Sequence, residues 1–222
     1  VIDAPTIIAT HLTELIRRNA SKILSRQSVS AIIEEIKKTN PVVVDEVTTG
    51  DHRFSYGEIE AVLKNLLEEQ VSIRNMVVIL ETLGDYGKLT RDPWTLTEKV
   101  REALGAQICQ QYADENKVLH VLNLSQSLAQ KILDHRADMP GKGPIVAFDP
   151  VDARNYISTM SNAVAAVRER NYLPIILCPS EVRRLVKSST ELEMPGIIVL
   201  SINEVMAASP NIKVESLGEI NG

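Results

Sequence analysis

Hydrophobic residues recur every three or four positions through the first half of the chain, which is the pattern of amphipathic helices. One stripe runs from Ile8 through Leu12 and Leu15 to Ile16, and a second comprises Ile32, Ile33 and Ile36. Further stripes comprise Ile59, Val62, Leu63, Leu66 and Leu67, then Ile73, Met76, Val77, Leu80 and Leu83, then Leu96, Val100, Ala103, Leu104 and Ile108. Because the connections between the stripes are short, residues 1–112 are predicted to form a compact helical bundle.

The second half of the chain has a different pattern, in which short apolar runs alternate with helical segments. The runs read VLHVLNL, IVAF, IIL, IIVLS and IKVESL. Such alternation predicts an α/β layer with a mostly parallel sheet. The polar stretch QQYADENK separates the halves, so we predict an α/β subdomain at 113–222. The expected fold class is therefore a helical bundle followed by a small α/β domain.

The segment GDYGKLTRDPW is predicted to join two helices. Gly84 and Gly87 suit positive φ, so they are expected to end one helix and let the chain turn. Asp92 is expected to cap the next helix, with Pro93 at its first position. Trp94, in the first turn, is expected to pack its ring on a neighbouring helix.

The composition is that of an ordinary folded domain and narrows the function classes. The chain has 222 residues, 44% of them hydrophobic, and a net charge of −5, which gives no support for a nucleic-acid surface. No apolar run approaches the roughly 20 residues that cross a bilayer. The chain begins at Val1 without Met or a signal-peptide pattern, which predicts a fragment excised from a longer protein. The missing membrane span therefore says nothing about that parent protein.

Recognisable catalytic and cofactor motifs are missing from the sequence. Neither GxGxxG nor GxxxxGK[ST] occurs, and the four histidines lack ligand spacing, so no cofactor and no metal are predicted. Cys109 and Cys178 lie far apart and are expected to be buried thiols of a reducing compartment, although a disulfide between them stays open.

An alternative function rests on three residues at predicted strand ends. Asp149, Asp152 and Cys178 lie where α/β folds place ligands, so they are candidates for a small-ligand or enzyme site. The structural interpretation is favoured, because Asp149 suits a helix cap, Asp152 suits the first helical turn and Cys178 ends an apolar strand without a nearby histidine.

Three long phrases of the chain resemble a known family. They are IDAPTIIATHLTELIRRNASKILSRQ from Ile2, ILETLGDYGKLTRDPWTLTEKVREALGAQIC from Ile79, and MPGIIVLSINEV from Met194. In these phrases the chain resembles the cytoplasmic domain of the large export-gate protein of type III secretion systems. The wording of DAPTIIATHLTELIRR and LGAQIC favours the injectisome branch over the flagellar branch. The resemblance spans nearly the whole chain.

The resemblance implies a non-enzymatic scaffold on the cytoplasmic face of the bacterial inner membrane, whose membrane-embedded N-terminal half is absent here. The chain would hold the third and fourth of four cytoplasmic subdomains, with Val1 to Asp3 ending the first. Family members form nine-membered rings, which receive chaperone–substrate complexes and gatekeeper proteins and contact the ATPase stalk. The family's chaperone cleft lies mainly on the first two subdomains, so its residues are not carried over.

Two candidate surfaces combine this resemblance with the sequence pattern. The helical subdomain would lie at the ring's subunit junctions, so its exposed polar joint is a candidate self-assembly surface, with the solvated turn as the alternative. That surface comprises Arg26, Asp85, Tyr86, Lys88 and Arg91. The α/β subdomain would face the ATPase and its stalk. Its helical segment 180–190 carries a basic stripe, which is a candidate partner surface or a solvated face, and which comprises Arg183, Arg184 and Lys187.

Overall fold

A computed structural model describes residues 3–222 of the chain, so the expectation for Val1 and Ile2 lies outside the described residues. The chain divides into two compact units, one ending at Ala103 and one comprising Leu104–Gly222. In the described part, no helix combines the length and the apolar character that a membrane span requires.

The first unit is helical throughout its regular structure. Its helices are α1 Ala4–Ile23, α2 Arg26–Thr39, α3 Pro41–Thr48, α4 Tyr56–Glu68, α5 Met76–Tyr86 and α6 Pro93–Ala103. Helix α4 packs on α1, α2 and α6, and α5 packs on α3 and α6. The predicted stripe of α4 forms the centre of this core, where Ile59, Val62 and Leu63 are fully buried. The capping box that starts α4 is also present between Ser55 and Glu58.

One prediction for the first unit is wrong. The stripe of α1 was expected to pack, but α1 has no buried residue, and Ile8 and Leu12 are 68% and 55% exposed. Periodicity identifies an apolar face without identifying what covers it. Pro41 follows the end of α2 and begins α3, because proline at a first helical position lacks only an N–H that would be unpaired anyway.

The second unit is an α/β layer. Its helices are α7 Gly105–Tyr112, α8 Gln126–Asp134, α9 Pro150–Glu169, α10 Ser180–Thr190 and α11 Ile202–Ala208. Its strands are β1 Val118–Leu124, β2 Arg136–Met139, β3 Gly143–Val146, β4 Ile175–Cys178, β5 Ile198–Ser201 and β6 Lys213–Ile220. Four strands form a parallel sheet in the order β5-β4-β1-β6. The predicted combination of a helical bundle with a mostly parallel α/β domain is confirmed.

The alternation of apolar runs did not predict the antiparallel hairpin of the second unit. Strands β2 and β3 pair antiparallel in a sheet of their own, with Arg136 opposite Val146 and Met139 opposite Gly143. The apolar run IVAF therefore contributes to a hairpin beside the parallel sheet. Four-residue strands are too short to show a clear alternation of apolar and polar residues, so this hairpin could not be predicted from the pattern.

The boundary between the units lies one helix earlier than the prediction at 112. The last predicted helical stripe divides into α6 and α7, and α7 packs on α11 of the α/β unit. A Cβ added to Gly105 would lie 2.4 Å from the Glu204 carbonyl oxygen and 2.8 Å from Ala207 Cβ. Glycine at this position therefore permits α7 and α11 to approach closely.

Candidate assembly and partner surfaces

The joint at 84–94 differs from its predicted conformation. Helix α5 continues through Gly84 to Tyr86, and Gly87 caps it with φ −63° and ψ −18°. The expectation of positive φ is therefore wrong for both glycines. Gly87 is required for space, because an added Cβ would lie 2.4 Å from Phe54 Cε2. The Phe54 ring consequently packs directly against the backbone at Gly87.

The start of α6 has the predicted cap. Asp92 Oδ2 accepts hydrogen bonds from the Thr95 backbone N–H at 2.8 Å and from the Thr95 hydroxyl at 2.6 Å. Pro93 occupies the first helical position and Trp94 is half-buried in the first turn. The joint is therefore fixed at both ends, with α5 ending against Phe54 and α6 beginning on a side-chain cap.

Arg91 connects this joint to the segment that precedes α4. Its Nη2 donates to the His52 carbonyl oxygen at 2.5 Å and to the Arg53 carbonyl oxygen at 3.3 Å. Its guanidinium carbon lies 4.0 Å from the centre of the Phe54 ring, and Nη1 lies 3.6 Å from Glu58 Oε1. Arg91 thus combines a cation–π contact with carbonyl bonds, which makes it a structural clamp as well as a surface residue.

Arg26, from the start of α2, reaches the same end of α4. Its Nε lies 3.5 Å from Glu60 Oε2, and its guanidinium passes 3.1 Å from the position of an added Cβ at Gly57. The structure therefore places Arg26 and Arg91, which are distant in sequence, at one end of one helix.

The three remaining candidates lie along the joint. Asp85 and Lys88 are exposed, while Tyr86 is half-buried with Lys99 Nζ 5.5 Å from its ring centre. The sequence could not indicate that Arg91 and Tyr86 also have packing roles, because Phe54 and Lys99 lie on other elements. Charges of both signs therefore border a rigid helix junction.

The basic stripe of α10 does not form the surface that the sequence predicted. Arg183 is fully buried: Nη1 donates to the Val199 carbonyl oxygen at 3.2 Å and Nε lies 3.9 Å from Glu204 Oε1. Lys187 donates to the Ile197 carbonyl oxygen at 2.8 Å, and Arg184 is half-buried. Arg183 is therefore excluded from a partner surface. The sequence did offer a sign of this burial, because Arg183 lies among Val182, Leu185 and Val186, which form the buried side of the helix.

The carboxyl edge of the parallel sheet is occupied by helix caps. Ser125 Oγ, after β1, accepts from the Leu128 backbone N–H at 3.2 Å. Asp149 was expected at this edge, but it follows the hairpin strand β3, which is not part of the parallel sheet. Asp149 Oδ1 caps α9 by accepting from the Val151 and Asp152 N–H groups at 2.8 and 3.0 Å. Ser201 forms a capping box with Glu204 at the start of α11. Among the described residues named here, each polar group is engaged at a helix terminus.

The nearby cavity does not unite the residues proposed as an alternative site. It has a volume of about 120 Å³ and is lined by Asp152, by Lys131 and by apolar groups that include Leu128 and Phe148. Lys131 Nζ pairs with Asp152 Oδ1 at 3.1 Å. Asp149 and Cys178 are not among its lining residues, and Cys178 is buried, with its thiol donating to the Leu200 carbonyl oxygen.

The two cysteines lie on different elements, Cys109 on α7 and Cys178 on β4. Both Cys109 and Cys178 are buried and carry reduced thiols. Over residues 3–222, no three histidine, cysteine or acidic side chains come together in a way that could hold a metal ion.

The helix-capping role of Asp149 gives a testable pH dependence. Backbone hydrogen bonds from Asp152 and then Val151 lower the pKa of Asp149 below its usual value. A lowered folded-state pKa means that the cap stabilises fully above the unfolded-state pKa of about 3.9 and loses that effect as pH falls through the lower folded value. We expect Asp149→Ala to melt a few degrees below the parent at pH 7, with the difference shrinking below about pH 4. Thermal melts by circular dichroism test this, and a constant difference across the range would contradict it.

A family model described as the FHIPEP family matches residues 1–209, and the chain belongs to this family. It is 40% identical over 217 residues to the flagellar biosynthesis protein FlhA of Borreliella burgdorferi, covering 98% of this chain and 30% of that protein. It is 38% identical over 221 residues to FlhA of Bacillus subtilis, covering 100% of this chain and 32% of that protein. The chain thus spans about a third of the length of these curated relatives.

Solved structures show the same fold. The Chlamydia pneumoniae CdsV protein matches with a TM-score of 0.85 at 27% identity, over 97% of this chain and 60% of that one. The nonameric SctV-C of EPEC matches with a TM-score of 0.82 at 24% identity, over 97% of this chain and 63% of that one, and supports the fold alone. The expected membership of the export-gate family is confirmed by the family model and by the FlhA relatives. The preference for the injectisome branch is not supported, because the flagellar relatives share more residues with this chain.

Proposed function

We propose that this chain is a non-enzymatic part of a type III protein export gate, which assembles with copies of itself into a cytoplasmic ring at the inner membrane. The observation that carries the proposal is the convergence of Arg26 and Arg91 on the start of α4, beside the exposed Asp85 and Lys88. This assembly surface comprises Arg26, Asp85, Tyr86, Lys88 and Arg91.

The physical properties of the assembly surface suit contact between copies. Phe54 and the cap at Asp92 hold the joint in place, so little conformational entropy is lost when it docks. Adjacent acidic and basic groups allow one copy's Lys88 to meet another copy's Asp85, and such complementarity fixes orientation more than it adds affinity. A relative of the same fold, SctV-C of EPEC, is nonameric, and we extend that state to this chain.

The ring is proposed to receive chaperone–substrate complexes and gatekeeper proteins and to contact the ATPase stalk through the α/β unit. Chlamydia pneumoniae CdsV, which has this fold at 26% identity, is seen in complex with the CdsO protein. Arg184 and Lys187 remain half-exposed and are retained as part of the proposed partner surface, whereas Arg183 is not.

The alternative of a small-ligand or enzyme domain is not favoured. Asp149 is engaged as a helix cap, Asp152 pairs with Lys131, and Cys178 is buried against Leu200. A catalytic site requires such groups to converge on a substrate, whereas each of these three residues contacts a different partner.

The assembly surface can be tested by reversing its two exposed charges. In the 222-residue chain we expect Asp85→Lys combined with Lys88→Glu to remain folded, because neither side chain is buried. Each reversed charge would meet a like charge in a parent copy, so mixed rings should require about tenfold more protein. Sedimentation velocity of the parent, the variant and their equimolar mixture across concentration measures this effect.

A matched control is the exchange of the exposed pair Glu35 and Lys38 on α2, whose charged atoms lie 2.5 Å apart. Exchanging these two charges should leave assembly unchanged. Equal assembly of the parent, of the Asp85 and Lys88 variant and of the mixture would remove the proposed surface. A parent that stays monomeric at every concentration would instead remove self-assembly by this chain.

A further inference from the structure

His120 lies between two carboxylates that come from different elements. Its Nε2 lies 2.9 Å from Asp114 Oδ2, in the turn before β1, and its Nδ1 lies 3.5 Å from Glu215 Oε2 on the edge strand β6. The imidazole side chain is 18% exposed. The Tyr172 ring covers one face of the imidazole, with 4.7 Å between ring centres. The imidazole therefore connects the sheet interior to the outermost strand.

The two nitrogens of His120 differ in their hydrogen bonding. A carboxylate only accepts, so the short contact to Asp114 requires a proton on Nε2. That bond, followed by the backbone N–H of Val118, lowers the pKa of Asp114 below its usual value and keeps the carboxylate charged. Nδ1 is shielded from solvent and, within residues 3–222, makes no hydrogen bond of normal geometry. Only a second proton would let Nδ1 donate to Glu215.

We propose that a second proton on the His120 ring fastens the edge strand β6 to the sheet, so that β6 is held less firmly once that proton is lost. In the doubly protonated ring, Nε2–H donates to Asp114 and Nδ1–H donates to Glu215. Loss of one proton leaves the Nδ1 lone pair facing the Glu215 carboxylate, which is repulsive. The contact between His120 and Glu215 therefore strengthens when the ring gains its second proton at low pH, and it weakens when that proton is lost as pH rises.

Other charges around His120 modify this contact without replacing it. Lys213 on β6 and Lys117 in the turn before β1 lie at the start of the β1–β6 pairing, where Val118 is opposite Lys213. From the loop before β4, the Arg170 guanidinium lies 5.3 Å from the Tyr172 ring centre, on an exposed side chain. Strand β4 itself reads IILC and contributes no charged residue. The two carboxylates are the groups in contact with the imidazole nitrogens.

Strand β6 is suited to such control because it depends on one neighbour. It is the edge strand, paired only with β1 in the described sheet, and most of its side chains are exposed. The pairing also changes register between Val121 and Leu122, which interrupts the ladder. Only Ile220 is buried and only Leu217 packs on the core in this strand, so a charge-assisted contact at Glu215 adds to the local stability of its exposed first half.

Hydrogen–deuterium exchange of the 222-residue protein tests the proposal. After correction for intrinsic exchange rates, we expect β6 amides to lose about two- to fivefold protection between pH 5.5 and pH 8, the range of a partly exposed ion pair. Amides of the inner strand β4 should show no such change. His120→Gln, which retains a donor for Asp114, should make β6 protection independent of pH.

Two further variants complete the test. Glu215→Gln removes the carboxylate while keeping the imidazole, and it should also abolish the pH response, even if His120→Gln fails to fold. His135→Gln changes the histidine of α8–β2 that bonds the Lys131 carbonyl oxygen, and it should retain the parent response. Parent β6 protection that is independent of pH, or an unchanged response in Glu215→Gln, would overturn the proposal. Ring assembly is not required for either result.

Discussion

Replacing Arg183 by alanine is expected to lower the free energy of unfolding of the α/β unit by about 3–5 kcal/mol, the cost of removing one partner from a buried ion pair. The guanidinium is fully buried and lies 3.9 Å from a Glu204 carboxylate that is itself only 1% exposed. Its loss leaves that carboxylate and the Val199 carbonyl oxygen with fewer donors in a dry interior. Urea unfolding followed by circular dichroism measures the change, provided that the slope of unfolding free energy against urea concentration is the same in the parent and the variant.

A double substitution separates the lost pairing from the lost packing. In Arg183→Met combined with Glu204→Gln, the apolar stem stays and the buried charge is gone, while glutamine preserves a capping box with Ser201. The double variant should therefore be more stable than Arg183→Ala. Arg154→Ala, at an exposed arginine of α9, should change stability by no more than about 0.5 kcal/mol. An Arg183→Ala effect as small as that of Arg154→Ala would show that the buried pair is not required.

Local patterns predicted those parts of the fold that neighbouring residues determine. The predicted caps at Asp92 and Asp149 are present because each satisfies N–H groups within three residues. The alternating runs also predicted the parallel sheet, because buried parallel strands are apolar on both faces. These features required no knowledge of the rest of the molecule.

The remaining features depend on residues distant in sequence. Arg183 has the charge of a surface residue, and its partner Glu204 lies on the next helix along the chain. The stripe of α1 predicts an apolar face correctly, yet the described chain does not cover that face. At the assembly surface, Arg26 and Arg91 meet only because α4 brings Glu60 and Glu58 to one end. Such placements are decided by tertiary packing, which a linear pattern does not contain.

Gly84 and Gly87 were both predicted to have positive φ, but alanine is expected to have opposite effects at the two positions. Gly84 lies inside α5, where an added Cβ would make an ordinary contact with Val47 Cγ2 at 3.7 Å. Alanine there restricts the unfolded chain and favours the helix, so Gly84→Ala should raise the free energy of unfolding by about 0.5–1 kcal/mol. Gly84→Ala thus provides a matched control for the same change three residues later.

Gly87→Ala is expected to lower the free energy of unfolding by about 1–3 kcal/mol, because overpacking displaces a well-packed neighbour. The added Cβ would lie 2.4 Å from Phe54 Cε2, and Phe54 is only 4% exposed, so the ring must move. Since Arg91 lies 4.0 Å from that ring centre, displacement of Phe54 also disturbs the clamp at the assembly surface. Parallel urea titrations of both variants test the pair. Equal shifts in the same direction would mean that the joint tolerates a side chain at Gly87 and that Phe54 does not fix its geometry.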